Sequence, residues 1–305
     1  MPGEVFGKDH VFLPRHELLT FEEITRVVRV MQGLGVAKVR LTGGEPLLRH
    51  ECEVLVAMLG GLGLQDLAMT SNGALLARHA APLAEAGLHR MTVSLDALDE
   101  GVFQAMNGVG ISVERVLEGI RAAAEAGLGP LKVNMVVQRG LNEGQILPMA
   151  RHFRGSGHIL RFIEYMDVGA SNGWQLDKVF PAAHILEVLR GEFALEPVEP
   201  NYRGEVAGRW RYTDGSGEVG IIASVTGPFC GSCTRLRLSA DGHLYTCLFS
   251  NRGTDLRPLL RSTEDDGPLR DFLARLWRDR SDNYSEVRTG DTPRDGRVEM
   301  SYIGG

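Results

Sequence analysis

Cys230 and Cys233 are separated by two residues, and Cys247 follows after thirteen more, leaving Cys52 as the fourth and last cysteine of the 305-residue chain. Thiolates grouped in this way suit a soft metal. A structural zinc site closes with four ligands and a four-iron cube takes one cysteine per iron, so a trio leaves one position open. Spacing alone keeps other readings alive: zinc completed by His243 or by the distant Cys52, a disulfide, or buried thiols beside ordinary surface arginines. After Gly227-Pro228-Phe229-Cys230-Gly231-Ser232-Cys233, the residues Thr234-Arg235-Leu236-Arg237-Leu238 alternate with the period of a strand. The alternation predicts a strand over 235–238, with Arg235 and Arg237 side by side on one face and Leu236 and Leu238 turned to a core. Each guanidinium can donate two parallel hydrogen bonds to phosphate or carboxylate. An open metal position beside paired arginines predicts an anionic ligand.

Composition sets the surroundings. The formal charge of −6 disfavours nonspecific nucleic-acid binding, and 43% hydrophobic residues in a chain of this length suffice for a large core. Four cysteines, three of them clustered, do not make a secreted disulfide framework and fit a reducing cytoplasm. The first twenty residues carry Glu4, Lys8, Asp9 and Arg15, which excludes a secretory signal there. The longest apolar window, 55–64, is too short to span a bilayer.

The elements that must position these residues follow from periodicity. Thr20 and Glu23 match a capping box, and Ile24, Val27, Val28 and Met31 form the stripe of the helix behind it. A β-branched run over 36–42 ends in the sharp loop Gly43-Gly44-Glu45-Pro46, followed by a helix over 51–62. Further strands are predicted over 66–70, 90–95, 131–137 and 159–165, with helices between them; Val113, Val116, Leu117, Ile120 and Ala124 have the cleanest helical period. Strands alternating with helices imply a parallel sheet, closed or partly closed into a barrel, with ligands at the strands' carboxyl ends. Thr42, Glu45, Thr70, Ser71, Asn72, Ser94, Asp96, Lys132, Asn134 and Glu164 all fall within or just after those runs, where each is either a mouth residue or barrel packing and helix capping. Five such strands are visible; the rhythm stops near 170. Beyond it come a helix near 179–189, a Pro-rich link at Pro197 and Pro200, short strands over 219–225 and 235–238, a hairpin at Asp241-Gly242, and a helix over 268–278 before a polar stretch.

These residues resemble a family: the GTP 3',8-cyclases of molybdenum cofactor biosynthesis, which are radical S-adenosylmethionine enzymes. The resemblance runs along the whole chain and rests on Leu41-Thr42-Gly43-Gly44-Glu45-Pro46-Leu47, Val93-Ser94-Leu95-Asp96-Ala97, Arg161-Phe162-Ile163-Glu164-Tyr165-Met166-Asp167-Val168-Gly169, the cysteine segment with its Arg235-Leu236-Arg237, and the closing Gly304-Gly305. It implies an α/β fold: an incomplete (β/α)6-type TIM barrel lacking its first strand over 1–170, a C-terminal α+β module over 171–262 that carries the cysteines and covers the barrel mouth, and a terminal helix with a Gly-Gly tail over 263–305. It implies that Cys230, Cys233 and Cys247 hold a second [4Fe-4S] cluster whose free iron contacts the purine of GTP. Arg235 and Arg237 would then act as catalytic and GTP-holding groups with Leu236, and Arg40, Ser71 and Lys132 would line the nucleotide from the barrel side. Gly44, Ser94 and Met166 would contact S-adenosyl-L-methionine, and Gly304 and Gly305 would reach into the site, as residues without side chains can. The implied reaction converts GTP to (8S)-3',8-cyclo-7,8-dihydroguanosine 5'-triphosphate through a 5'-deoxyadenosyl radical that takes hydrogen from C3'. It further implies an electron donor, a homodimer as one assembly, and a downstream cyclic pyranopterin monophosphate synthase.

One departure stands out. The family's first cluster is held by an N-terminal Cys-x3-Cys-x2-Cys, and this chain begins at Met1-Pro2, just past the place of the third of those cysteines. Either the start lies too far downstream or the chain is truncated; as written it is expected to bind the second cluster without generating the radical. Two other classes remain: a noncatalytic remnant holding zinc through Cys230, Cys233, Cys247 and His243, and an aldolase-like barrel using Lys132 as a Schiff-base amine.

Overall fold

The computed structural model describes residues 13–108, 110–227, 230–288 and 297–304. Met1-Pro2, Pro228, Phe229 and Gly305 lie outside the described residues. The fold is mixed α/β around a mostly parallel sheet. Its strands are β1 (Lys38–Leu41), β2 (Asp66–Ser71), β3 (Arg90–Ser94), β4 (Lys132–Val137), β5 (Ile159–Glu164), β6 (Leu195–Val198), β7 (Gly208–Tyr212) and β8 (Glu218–Ile222), in the order β1-β2-β3-β4-β5-β8-β7-β6. β1 to β5 and then β8 run parallel, and β7 and β6 add antiparallel at the edge. A separate three-stranded sheet joins β9 (Arg237–Leu238), β10 (His243–Tyr245) and β11 (Thr254–Asp255). No helix among the described residues is long and apolar enough to cross a membrane.

The five predicted strands are present, and the region beyond 170 supplies a sixth parallel one. β8 was expected in a separate module, yet it pairs with β5 from Leu160↔Val219 to Ile163↔Ile222. The reason is the crossover between them: the helix Ala182–Arg190 packs on β5, on β8 and on the helix Ile146–Phe153, which continues the βαβ rhythm, while the β6–β7 hairpin interrupts its sequence signature. Chain on both sides of residue 170 therefore shares one sheet.

The capping box is real: Thr20 Oγ1 accepts from Glu23 N (3.1 Å) and Glu23 Oε2 accepts from Thr20 N (2.9 Å), opening the helix Phe21–Gly33. That helix serves two cores. Val28 joins the main core between sheet and helices, with Leu67, Met69, Met91, Val93, Val133, Met135, Leu160 and Phe162 from the strands. Val27 and Val30 join Leu19, Leu244, Leu256, Leu260, Leu269 and Leu273 in a second core, tying the helix to the helix Asp266–Arg278 and to the small sheet. Each fully buried side chain of this kind contributes about 1.5–3 kcal/mol, so residues near 20–30 and 240–273 are held as one body. Arg26 strengthens the tie, donating to Asp266 Oδ1 (2.8 Å) and to the Leu260 carbonyl (2.9 Å).

Candidate active site

Alternation along β4 is complete: Val133, Met135 and Val137 are buried, while Lys132, Asn134 and Val136 remain partly open on the opposite face. Register carries this face across the sheet. Arg40 lies opposite Ala68 and Ala68 opposite Arg90; Thr70 opposes Thr92, which opposes Lys132; Ser94 opposes Asn134, which opposes Arg161. Directly opposed residues point the same way, so Arg40, Arg90, Lys132 and Arg161 share the face turned away from the helices. Toward the carboxyl ends of β4, β5 and β8 the same face becomes apolar, with Ile163, Ile222 and Ala207 packed with Val136, Val206 and Met166.

The cations on this face are only partly neutralised. Arg90 pairs with Asp66, but Arg40 donates to Thr70 Oγ1 (3.4 Å) and Arg161 to Asn134 Oδ1 (2.9 Å), and no carboxylate among the described residues forms an ion pair with Arg40, Lys132 or Arg161. Burial, followed by repulsion from Arg161, Arg90 and Arg40, pulls the Lys132 amine down to about 8. Burial, then Arg40, brings Arg161 down to about 10, with Tyr202 and Glu205 acting in the opposite direction. A polyanion placed here would relieve both the desolvation and the mutual repulsion.

At the carboxyl end of β1, Glu45 organises the Gly-Gly-Glu-Pro loop. Its carboxylate accepts from Leu47 N (3.2 Å), Ser71 Oγ (2.9 Å) and Asn72 N (2.7 Å), and burial pushes its pKa up despite those bonds. Ser71, expected at the nucleotide, is 2% exposed and spends its hydroxyl on Glu45, joining the ends of β1 and β2. Gly44 follows β1, Ser94 ends β3 and Met166 follows β5, so the three expected S-adenosylmethionine contacts lie along one edge, with Met166 against the apolar patch. Glu164 does not line a mouth. Glu164, 0% exposed, accepts from Ala182 N (2.6 Å), Val225 N (2.7 Å), Thr226 N (2.8 Å) and Thr226 Oγ1 (2.5 Å); Asp96 accepts from Val136 N (2.8 Å), and burial raises it to about 6.

The cysteine segment departs from its predicted geometry in one respect. Only Arg237–Leu238 pair as a strand, because Arg235 turns back to donate through Nε (3.3 Å) and Nη2 (3.2 Å) to Cys233 Sγ. Leu236 and Leu238 do pack on the second core, so a ligand contact from Leu236 runs through its main chain. Each of the three sulfurs accepts an N–H: Cys233 from Arg235, Cys230 from Ser285 N (3.2 Å) and Cys247 from Phe249 N (3.4 Å). Burial alone would raise the Cys233 thiol, but Arg280 and Arg235 bring it to about 7; burial holds Cys247 up. Sulfurs bonded in this manner fit cluster thiolates, whose charge such N–H groups offset.

The closed alternatives fare less well. All four cysteines are free thiols, which removes the disulfide. Cys52 sits in the main core at the start of the helix Cys52–Gly60, its thiol pushed by burial to about 11. His243 bonds through Nδ1 to Asp241 Oδ2 (2.9 Å), and among the described residues no three His, Cys, Asp or Glu side chains, the cysteine trio included, are close enough to hold a single ion.

Two glycines bring the pieces together. Gly204, at φ 86° in the β6–β7 loop, packs where a Cβ would lie 2.9 Å from the Ser232 carbonyl oxygen; its neighbours Tyr202 and Glu205 act on the Arg161 and Arg40 charges. Gly304, at φ 72°, accepts from Arg237 Nε (3.3 Å) and sits where a Cβ would overlap the Thr42 methyl. The cysteine segment thus touches the loop beside the cationic face at Gly204 and, through Gly304, the end of β1. Sequence reasoning missed Arg161, Tyr202, Glu205 and Arg280. Arg161 alone left a signal, as a cation within the apolar run of β5.

Comparison with known proteins agrees with this layout. A Radical SAM superfamily model matches residues 6–153, and a Molybdenum Cofactor Synthesis C model matches residues 158–286. A curated relative named GTP 3',8-cyclase from Acidothermus cellulolyticus is 50% identical over 331 residues, spanning 100% of this chain and 91% of its own length. Proteins of the same name from Xanthomonas axonopodis pv. citri (50% over 307 residues) and Staphylococcus haemolyticus (46% over 310) also span 100% of this chain and 91% of theirs. Among solved structures, Streptococcus suis SuiB shares the fold at a TM-score of 0.56 and 16% identity, covering 83% of this chain and 62% of that one. Half of the residues are identical, along the whole length, to proteins of one name, and the chain belongs to the GTP 3',8-cyclase family of the radical SAM superfamily.

Proposed function

We propose that the chain binds GTP between its cationic sheet face and the cysteine segment, and that it serves the GTP 3',8-cyclase reaction of molybdenum cofactor biosynthesis. The observation that carries this reading is that Gly204 and Gly304 join the cysteine segment, whose three sulfurs each accept an N–H, to the loop beside the cationic face and to the end of β1, while no carboxylate among the described residues pairs with Arg40, Lys132 or Arg161. Cys230, Cys233 and Cys247 would hold a [4Fe-4S] cluster that supplies a Lewis-acidic iron for the purine, and Gly44, Ser94 and Met166 would hold S-adenosylmethionine beside it.

The chain's own residues bind and orient. Arg40, Lys132 and Arg161 take the triphosphate from the sheet; Arg235 and Arg237 take the nucleotide from the cysteine side. The apolar patch of Val136, Ile163, Met166 and Ile222 gives a flat adenine a dry surface, and Gly304 closes the edge at Thr42. Holding two reactants fixed and shielded from water is what an alkyl radical step requires of a protein. The barrel reading is kept in the same terms: β1 to β5 would be the strands of a (β/α)6-type barrel lacking its first, with β8 added beside β5 and the chain beyond 171 covering the mouth. Beyond the trio only Cys52 remains, alone in the core, so these residues do not fit a second set of cluster ligands and no step through a first cluster is assigned to them.

Replacing Arg237 by Ala is expected to weaken GTP by on the order of 1.5–3 kcal/mol, the range for a hydrogen bond to a charged group. Titration calorimetry showing full affinity would remove Arg237 from the site. Lys132 gives a pH signature. Its pKa is lowered to about 8 in the free protein, and a bound polyanion raises it. The contribution of Lys132 is therefore complete below pH 8 and is lost as pH rises through the higher, bound value. Calorimetry at pH 8.5 in buffers of different protonation enthalpy should show proton uptake on GTP binding, absent in Lys132→Met; equal uptake in both would contradict the assignment. The same depressed amine also suits a Schiff-base nucleophile, and borohydride trapping of a carbonyl substrate on Lys132 would favour that reading over the cyclase.

A further inference from the structure

We propose that Asp167 is a positioning residue that docks the 297–304 segment at the site and, through it, fixes Arg237. Asp167 is 1% exposed and receives three side chains from two other parts of the chain. Arg288 Nη1 (2.7 Å) and Tyr284 Oη (2.5 Å) come from one, and Arg297 Nη1 from the other, to the carboxylate (3.0 Å) and to the Asp167 carbonyl (2.8 Å). One carboxylate thus neutralises two buried guanidiniums that would otherwise repel each other. Arg297 also donates to the Tyr284 hydroxyl.

Successive contacts carry the anchored segment to the site. Glu299 accepts from Ala170 N (2.9 Å), Ser171 N (3.0 Å) and Ser171 Oγ (2.8 Å); Tyr302 donates to Asp241; the Gly304 carbonyl receives Arg237 Nε (3.3 Å). On its other side Asp167 adjoins Met166, and Tyr284 stacks on Phe249 at 4.5 Å between ring centroids, next to the Ser285 amide that reaches Cys230 Sγ. A single buried charge therefore holds the edge expected for S-adenosylmethionine, the strap behind the cysteines and the segment that touches Arg237. The Arg237 part of this inference rests on the nucleotide reading given above.

The test is Asp167→Asn, which keeps shape and removes charge. In nucleotide-free protein, hydrogen exchange of the 298–304 amides should accelerate at least about tenfold while the helix Val113–Glu125 stays protected, and GTP should bind roughly tenfold more weakly. Deleting 297–305 should weaken GTP by a similar factor, and adding Asp167→Asn to the deletion should cost less than it costs in the full chain, since the docking contact is then already gone. Unchanged exchange in 298–304, or losses that multiply in the double variant, would overturn the proposal. Arg297→Gln gives the same reading from the other partner; if both variants lose protection in Val113–Glu125 as much as in 298–304, Asp167 is merely structural and the proposal fails. Wild-type protein that does not bind GTP would remove the nucleotide reading and the Arg237 part with it, whereas the exchange arm reports docking alone.

Discussion

A Cys233→Ser chain, reconstituted anaerobically with iron and sulfide, is expected to lose the visible absorption of its cluster. Cys52, the one other thiol, is buried in the main core and cannot stand in for the lost sulfur. Serine is a hard, weakly acidic donor in place of a soft thiolate, and Cys233 is the cysteine whose thiol Arg280 and Arg235 bring down to about 7. Both guanidiniums would lose the thiolate charge that they are placed to offset. An absorption spectrum unchanged from wild type would contradict the ligand assignment, and loss of GTP binding should accompany loss of the cluster.

Glu164→Ala is expected to be the most destabilising single change, by about 3 kcal/mol or more, since each buried donor left unsatisfied costs about 1–3 kcal/mol. Glu164 accepts from three backbone amides and one hydroxyl. Two of those amides, at Val225 and Thr226, belong to the turn that follows β8 and leads to the cysteine segment, and the third opens the helix Ala182–Arg190, where a carboxylate also meets the positive end of the helix dipole. Glu164→Gln should cost less, as one acceptor oxygen remains. Urea midpoints of the three proteins measure this; a Glu164→Ala chain as stable as wild type would show that the carboxylate does not organise the turn.

Local chemistry was legible in the sequence. The capping box at Thr20 and Glu23 and the strand runs of β2 to β5 each depend on neighbours a few residues away, and each lies where the residues themselves place it. What escaped depends on register and on distant partners. β8 reads as part of another module because the β6–β7 hairpin precedes it, although its pairing with β5 puts it in the main sheet. Arg161 becomes a site residue only when register sets it opposite Asn134, on the face that carries Lys132. Arg235 leaves the strand its alternation predicts because a sulfur two residues back offers it a partner. Glu164 and Asp167, three residues apart on one motif, have opposite uses: one ties the turn after β8 and the other gathers two arginines from the end of the chain. Neither role is visible without the fold.

Three thiolates would leave one iron of the cluster free for the nucleotide. Electron paramagnetic resonance of the reduced, reconstituted protein, recorded with and without GTP, tests this most directly. A [4Fe-4S] signal that shifts when GTP is added is the predicted result; a protein that yields no cluster signal, or one that GTP leaves unchanged, would contradict it.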